Sequence, residues 1–454
     1  MFGYSGFIAT FIILFLKFET IITQVEESYI FPEPTFTVLQ SNEIQISIPN
    51  ERGLQFFAFN GNINKRIVSS QVGEISGETY RQTKGKWTIV KKHVILKDGD
   101  TIHYWMQAQV NGKMHTKSDQ TWIVTTEKPK EKPGTLLFNE DFDNFNTLIW
   151  ERDIRIPLSP DYEFCVYHNE HHAPLLQVVG GKARFKLQML EDQYGDRATA
   201  FGKMELSGCT SKILEECSRN AGAYSILPPV LSSRLTTKKS FNFRYGRIEI
   251  RAKFPQGDWL YPEMYLQPTS NTYGFGYSSG RIILGLARGN DHLIDPKGDL
   301  IFDSRKLDFG FRVGTSTHVD DYVVSKINEN GSKWTQDFHN YTTIWNKNEF
   351  QFFVDGEEVG KLCPKRDGWL NNTDYNKMAP FDKEFYISIG LGVGGIRVFP
   401  DGTKSSDHTK PWRNIGAKAM LQFWQAKNDW FPTWTRQSGK MPSFEIDYIR
   451  VWSV

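Results

Sequence analysis

Cysteine is scarce in this chain, with four among 454 residues. That excludes a small scaffold held together mainly by disulfides. An excess of either charge is also missing. The 54 Lys and Arg nearly balance 52 Asp and Glu, leaving a net +2. A general nucleic-acid role needs a concentrated basic face, and none is evident. No apolar run is long enough to span a bilayer, which takes about 20 residues. Sustained helical periodicity is absent beyond a few short turns. No metal site stands out: His168, His171 and His172 cluster without a further Cys/His set, and tetrahedral zinc needs more ligands. They read as a surface loop. No glycine-rich phosphate cradle is present, so no cofactor is expected.

What the chain does have begins with residues 6–16, a short uncharged apolar stretch. It suits the core of a secretory signal peptide ending near residue 23. The mature protein is therefore expected to be extracellular, with no membrane span. Secretion makes the cysteines informative. Cys209 and Cys217 are close enough to staple one loop, and Cys165 would then pair with Cys363 across the second domain. Three connectivities are open to four cysteines. Asn330, Asn340 and Asn371 each begin an N-glycosylation tripeptide.

The chain is too long for one ordinary domain, and two are expected. Apolar residues make up 39% and charged residues 23%, which permits packed cores. Aromatics reach 14%, which fits both strand-rich cores and flat platforms for sugar rings. Residues 28–126 form short apolar-alternating runs, such as 43–48, 54–59 and 101–105. Asn60-Gly61, Asp98-Gly99 and Asn111-Gly112 punctuate them. A small immunoglobulin-like β-sandwich is expected there. Residues 127–134 carry charge and two prolines but no large apolar side chain, and read as a linker. From 135 to 454 alternation returns, as in 243–253, 349–357 and 444–452. A larger jelly-roll sandwich follows, making the whole chain all-β.

The first segment resembles carbohydrate-binding module family 39. The residues that carry the likeness are Ser47-Ile48-Pro49-Asn50, Phe57 to Asn64, Gly85-Lys86-Trp87-Thr88 and Tyr104-Trp105. The second resembles glycoside hydrolase family 16, a concanavalin-like jelly roll. Here the carriers are Tyr245 to Lys253, Pro255-Gln256-Gly257-Asp258-Trp259, Asp337 to Tyr341 and Glu445 to Trp452. Together the two resemble insect β-1,3-glucan recognition proteins, also called Gram-negative-bacteria-binding proteins. That likeness implies a secreted pattern-recognition role in innate immunity. Its ligand would be microbial β-1,3-glucan, and its downstream partners serine proteases of an immune cascade.

One more absence decides against cutting. Retaining glycosidases need two carboxyl groups about 5–5.5 Å apart. The resembled hydrolases carry them on one strand as Glu-x-Asp-x-x-Glu, where a bulge returns the last Glu to the face of the first. Arg288-Gly289-Asn290 sets the register by that likeness, and the three positions are then Arg281, Ile283 and Leu286. No Asp or Glu occurs from Met264 through Asn290. Arg281 cannot attack an anomeric carbon, and Leu286 cannot deliver a proton. A non-enzymatic domain is expected. Glu263 and Asp291 flank the strand without a partner at the required spacing.

Candidate sugar contacts in the first domain are Trp87, expected with its ring on an exposed sheet face, and the polar residues Asn50, Arg52, Lys86 and Lys91. In the second they are Trp259 and His339. A core role is the competing reading for each tryptophan, and a solvated edge for each polar residue. Two other functions are weighed: an active secreted β-1,3-glucanase, disfavoured by positions 281, 283 and 286, and a lectin-like binder of lipopolysaccharide or lipoteichoic acid.

Overall fold

The computed structural model describes residues 29–39, 43–83, 85–97, 99–124, 132–168, 174–315, 318–406, 408–435 and 440–454. The expected signal peptide and the first five residues of the expected linker lie outside these. The chain forms two compact units that divide between Lys130 and Glu131.

The first unit is built of eight strands: β1 (Thr35–Leu39), β2 (Glu43–Pro49), β3 (Leu54–Ile63), β4 (Ile75–Thr79), β5 (Gln82–Thr83), β6 (Lys86–Lys92), β7 (Thr101–Val110) and β8 (Lys113–Ile123). They make two four-stranded sheets, ordered β1-β2-β6-β5 and β4-β3-β7-β8. Alternation explains the sandwich. Ile44, Ile46 and Ile48 of β2 point inward with Trp87 and Ile89 of β6, against Phe57, Phe59, Ile102 and Met106 of the other sheet. Burying each such side chain stabilises by about 1.5–3 kcal/mol. Asn111 and Gly112, both with positive φ, make the tight turn between β7 and β8.

The second unit is also a two-sheet sandwich, with eight strands in each sheet. One sheet runs Glu151–Asp153, Arg234–Thr236, Phe385–Val393, Leu260–Pro268, Arg281–Leu286, Lys306–Gly314 and Val319–Ile327, with Asn242–Phe243 as its eighth strand, also paired to Phe385–Val393. The facing sheet has Ser443–Trp452, Gly246–Lys253, His339–Trp345 and Phe350–Val354 at its centre. Between them lie Ile282, Met264, Phe309, Phe311, Tyr341, Trp345, Phe350 and their neighbours. The architecture is the expected all-β one.

Two features depart from the sequence reading. Helices Ala419–Gln425 and Lys427–Thr435 follow one another, where only short turns were expected. Aromatic packing rather than periodicity supports them: Phe423 stacks on Trp430 at 4.5 Å, and Trp430 lies 4.6 Å from Trp434. The second departure concerns the cysteines. Cys209 and Cys217 form a disulfide with Cα atoms 5.5 Å apart. The expected Cys165–Cys363 bond does not form. Cys165 is buried on the strand Cys165–Tyr167, while Cys363 is exposed and donates to Glu349 at 3.3 Å. Burial pushes the Cys165 thiol well above its ordinary pKa.

Candidate functional site

The first unit gathers three of its five candidates at one end of a sheet. Pro49 pairs with Lys86 across β2 and β6, and the Asn50 N–H donates to Gly85 O at 2.9 Å. Arg52 follows in the next turn. Asn50, Arg52 and Lys86 are all exposed. Lys91 is not with them: it pairs with Ile44 toward the other end and is half-buried.

Trp87 requires a correction. Its ring is not on the exposed face but 4% exposed in the sandwich core. The register explains this, because Trp87 shares a face with Ile89 and stands opposite Ile48. Its indole N–H donates to Asn50 Oδ1 at 2.9 Å. Trp87 therefore shapes the loop that presents Asn50 and offers no stacking platform itself.

In the second unit the register around Arg281 can be read directly. Ile283 pairs with Gly310 but Leu286 with Asp308, so Leu284 and Gly285 are a bulge against one residue of the neighbouring strand. This is the irregularity the spacing predicts. Gly285 has φ +142°, and a Cβ there would meet Met264 at 2.9 Å. Ile282 pairs with Phe311, which packs on Phe350 of the facing sheet. Arg281 thus lies on the face opposite Ile282, toward Asp161 and Tyr277.

That face is covered. Residues 153–168 cross it, with Phe164 N–H donating to Val393 O and Ile396 N–H to Asp161 O. Asp161 accepts from Arg281 and from the Tyr277 hydroxyl, and lies 3.7 Å from Arg312. Burial works to raise its pKa, but the two guanidinium groups and the Tyr277 hydroxyl hold the carboxyl down at about 2. Burial works against the charge of Arg281, but Asp161 more than compensates and raises its pKa. Arg281 is an ion-pair partner of the covering segment and cannot serve as a nucleophile.

A second buried ion cluster lies alongside. Arg234 donates to Glu263 at 2.8 and 2.5 Å, to Glu163 at 2.6 Å and to the Tyr167 hydroxyl at 2.5 Å. Glu263 has no solvent exposure. Glu163 and Glu263 are thus close together, but a guanidinium stands between them and occupies both. Burial, against the lowering pull of Arg234 and with Asp161 and Glu263 adding to the rise, brings Glu163 up to about 7. Sequence reasoning noticed Glu263 but not Glu163 or Asp161, which lie about a hundred residues away in the chain. A polar cavity of about 210 Å³ remains beside Asp161, Glu163 and Arg281.

Trp259 is 2% exposed and packs edge-on against Phe399 and Trp412 at 5.3 and 5.0 Å, so it takes the core role rather than that of a sugar contact. His339 belongs to the facing sheet, where its Nδ1 lies 2.7 Å from Asp355 Oδ2. Asp291 bonds Gln256 and Lys333, away from Arg281. Asn330 and Asn371 are exposed, whereas Asn340 is half-buried in a strand and accepts from Tyr448. His168 lies 3.1 Å from the Tyr194 hydroxyl, while His171 and His172 are outside the described residues. No cluster of three or more metal-ligating side chains occurs among the described residues.

Residues 30–136 match a carbohydrate binding domain (family 32, under the label CBM39), and residues 311–413 match glycosyl hydrolases family 16. The chain is 34% identical to the Beta-1,3-glucan-binding protein of Hyphantria cunea, over 93% of this chain and 95% of that one. It belongs to the family of β-1,3-glucan-binding and Gram-negative bacteria-binding proteins. Other members are the Beta-1,3-glucan-binding protein of Tenebrio molitor, 31% identical over 92% of this chain and 95% of that one, and Gram-negative bacteria-binding protein 1 of Drosophila melanogaster, 32% identical over 94% and 96%. Family members are named for binding, although a stretch of the chain matches a hydrolase family. No helix among the described residues is long and apolar enough to cross a membrane.

Proposed function

We propose that this chain is a secreted pattern-recognition protein that binds β-1,3-glucan of microbial surfaces through its first domain and does not hydrolyse it. The binding half rests on relatives with that name aligning over more than nine-tenths of the chain. Asn50, Arg52 and Lys86 supply exposed donors and an acceptor at one sheet end, a grouping suited to the hydroxyls of a saccharide chain. The non-hydrolytic half is carried by one observation: where a nucleophile would stand, Arg281 is ion-paired to Asp161 beneath a covering segment. Position 286 is an aliphatic side chain with no proton to give.

The test is a curdlan pull-down of the full chain, beside the double variant Arg52→Ala/Lys86→Ala, with reducing sugar assayed on laminarin. Capture of wild type, at least tenfold weaker capture of the variant and no sugar release are expected. Sugar release by a preparation free of contaminating glucanase would overturn the non-hydrolytic half. Failure of wild type to bind curdlan, with capture by bacterial envelopes instead, would overturn the glucan assignment.

A further inference from the structure

The second domain holds a pocket that neither the ion clusters nor the sandwich core uses. It is formed by helix Leu190–Tyr194, helix Ala198–Phe201 and strand Lys203–Glu205, and has a volume of about 350 Å³. Buried Leu190, Met204 and Leu227 make its floor. They belong to a small separate core with Ile154, Val166 and Leu231, so the floor is rigid. The Cys209–Cys217 disulfide braces the same insertion: Cys217 ends a helix leading into Ser218–Asn220, the strand paired with Lys203–Glu205.

The rim differs in chemistry from the floor. Phe201 is 77% exposed and Tyr194 45% exposed. Tyr194 is engaged by His168, whereas the Phe201 ring leaves a flat apolar face in water beside the pocket, where burial would be favourable. Between them stand Asp196 and Arg197, both exposed and with no ion pair to any described residue. Lys203 is neutralised by Glu205 at 2.6 Å. The rim therefore carries no net charge, yet it offers a carboxylate acceptor and guanidinium donors. An exposed aromatic face next to Asp196 and Arg197, without an excess of either charge, matches a neutral polyol. A charged or purely apolar ligand would leave one half of the rim unused. The volume is at the small end for a ligand pocket.

From this we infer that the pocket bounded by Tyr194, Asp196, Arg197 and Phe201 is a second saccharide site, taking a pyranose unit of a neutral glucan. The inference rests on the reading above that the ligand is a glucose polymer, and adds a contact independent of the first domain. Phe201 stacks on the C–H face of the ring, while Asp196 and Arg197 bond its hydroxyls.

The full chain would be titrated calorimetrically with laminarihexaose as wild type, Phe201→Ala, Phe201→Tyr and Arg52→Ala/Lys86→Ala. Wild type is expected to take up two equivalents, and Phe201→Ala one, with unchanged melting because Phe201 packs little. Phe201→Tyr, which keeps a flat ring, restores the second equivalent. One equivalent in both wild type and Phe201→Ala, lost in the Arg52/Lys86 variant, overturns this site while leaving the proposed function intact. No uptake by wild type overturns both.

Discussion

Removing the charge of Asp161 tests whether the groove face of the second domain is held shut by buried ions. Asp161→Asn leaves the buried Arg281 guanidinium with only the neutral Tyr277 hydroxyl beside it, while buried Arg312 keeps Asp321 at 2.8 Å. Breaking a buried ion pair on one side costs about 3–5 kcal/mol, because the surviving charge stays desolvated. Arg281→Met should cost less, about 1–3 kcal/mol by the same reasoning. Asp161 would still accept from Tyr277 and face Arg312 at 3.7 Å. The double variant should cost clearly less than the sum of the two, since neither charge is then left alone. For a domain of this size the Asp161→Asn loss corresponds to a fall on the order of 5–10 °C in the second domain's melting. Calorimetric melting of the full chain near neutral pH reads all three variants. An Asp161→Asn cost under about 1 kcal/mol, or an Arg281→Met cost exceeding it, would refute the claim that Asp161 anchors the covering segment through buried charge.

Three further outcomes are expected. Glu163 keeps its proton up to about pH 7 when folded but releases it near 4.5 when unfolded; its stabilising contribution is thus full below about pH 4.5 and lost as pH rises through 7. Glu163→Gln, which retains the acceptor for Arg234, should flatten the pH dependence of the second domain's urea midpoint between pH 5 and 8; an unchanged slope would count against the shift. Trp87→Phe removes the hydrogen bond to Asn50 and should cost about 1 kcal/mol beyond its packing loss, whereas Trp87→Ala should cost about 3–5 kcal/mol and unfold the first domain. Circular dichroism of each variant separates that loss from lost sugar contact. Native protein should react with one equivalent of a thiol reagent, at exposed Cys363, and with a second only after denaturation exposes Cys165; two fast equivalents would contradict the burial of Cys165.

How much of this was legible in the sequence depended on whether the signal was local. Alternation in 43–48 and 101–105 announced strands because each residue's face follows from its neighbours. The absence of Asp and Glu from 264 through 290 was legible directly, and the irregularity between Ile283 and Leu286 was expected from the spacing that the hydrolase likeness implies. Trp87 was misplaced for a related reason. Alternation says which residues share its face, but only the second sheet decides which face is inside. For Trp259 a sugar contact and a core role both stood open, and Trp412, far along the chain, packs against it in the core. Asp161 and Arg281 lie 120 residues apart, and nothing near either one announces the other. The pocket beside Phe201 depends likewise on three short elements that periodicity does not reveal.

The bulge at Leu284 and Gly285 is held from behind, by Met264 and Tyr341. Both belong to the buried core of the sandwich. The backbone irregularity is thus maintained by the interior, whatever side chain follows it at position 286. Shape at such a strand is weak testimony about reactivity: the mould is kept by one face, and what is cast in it is chosen on the other.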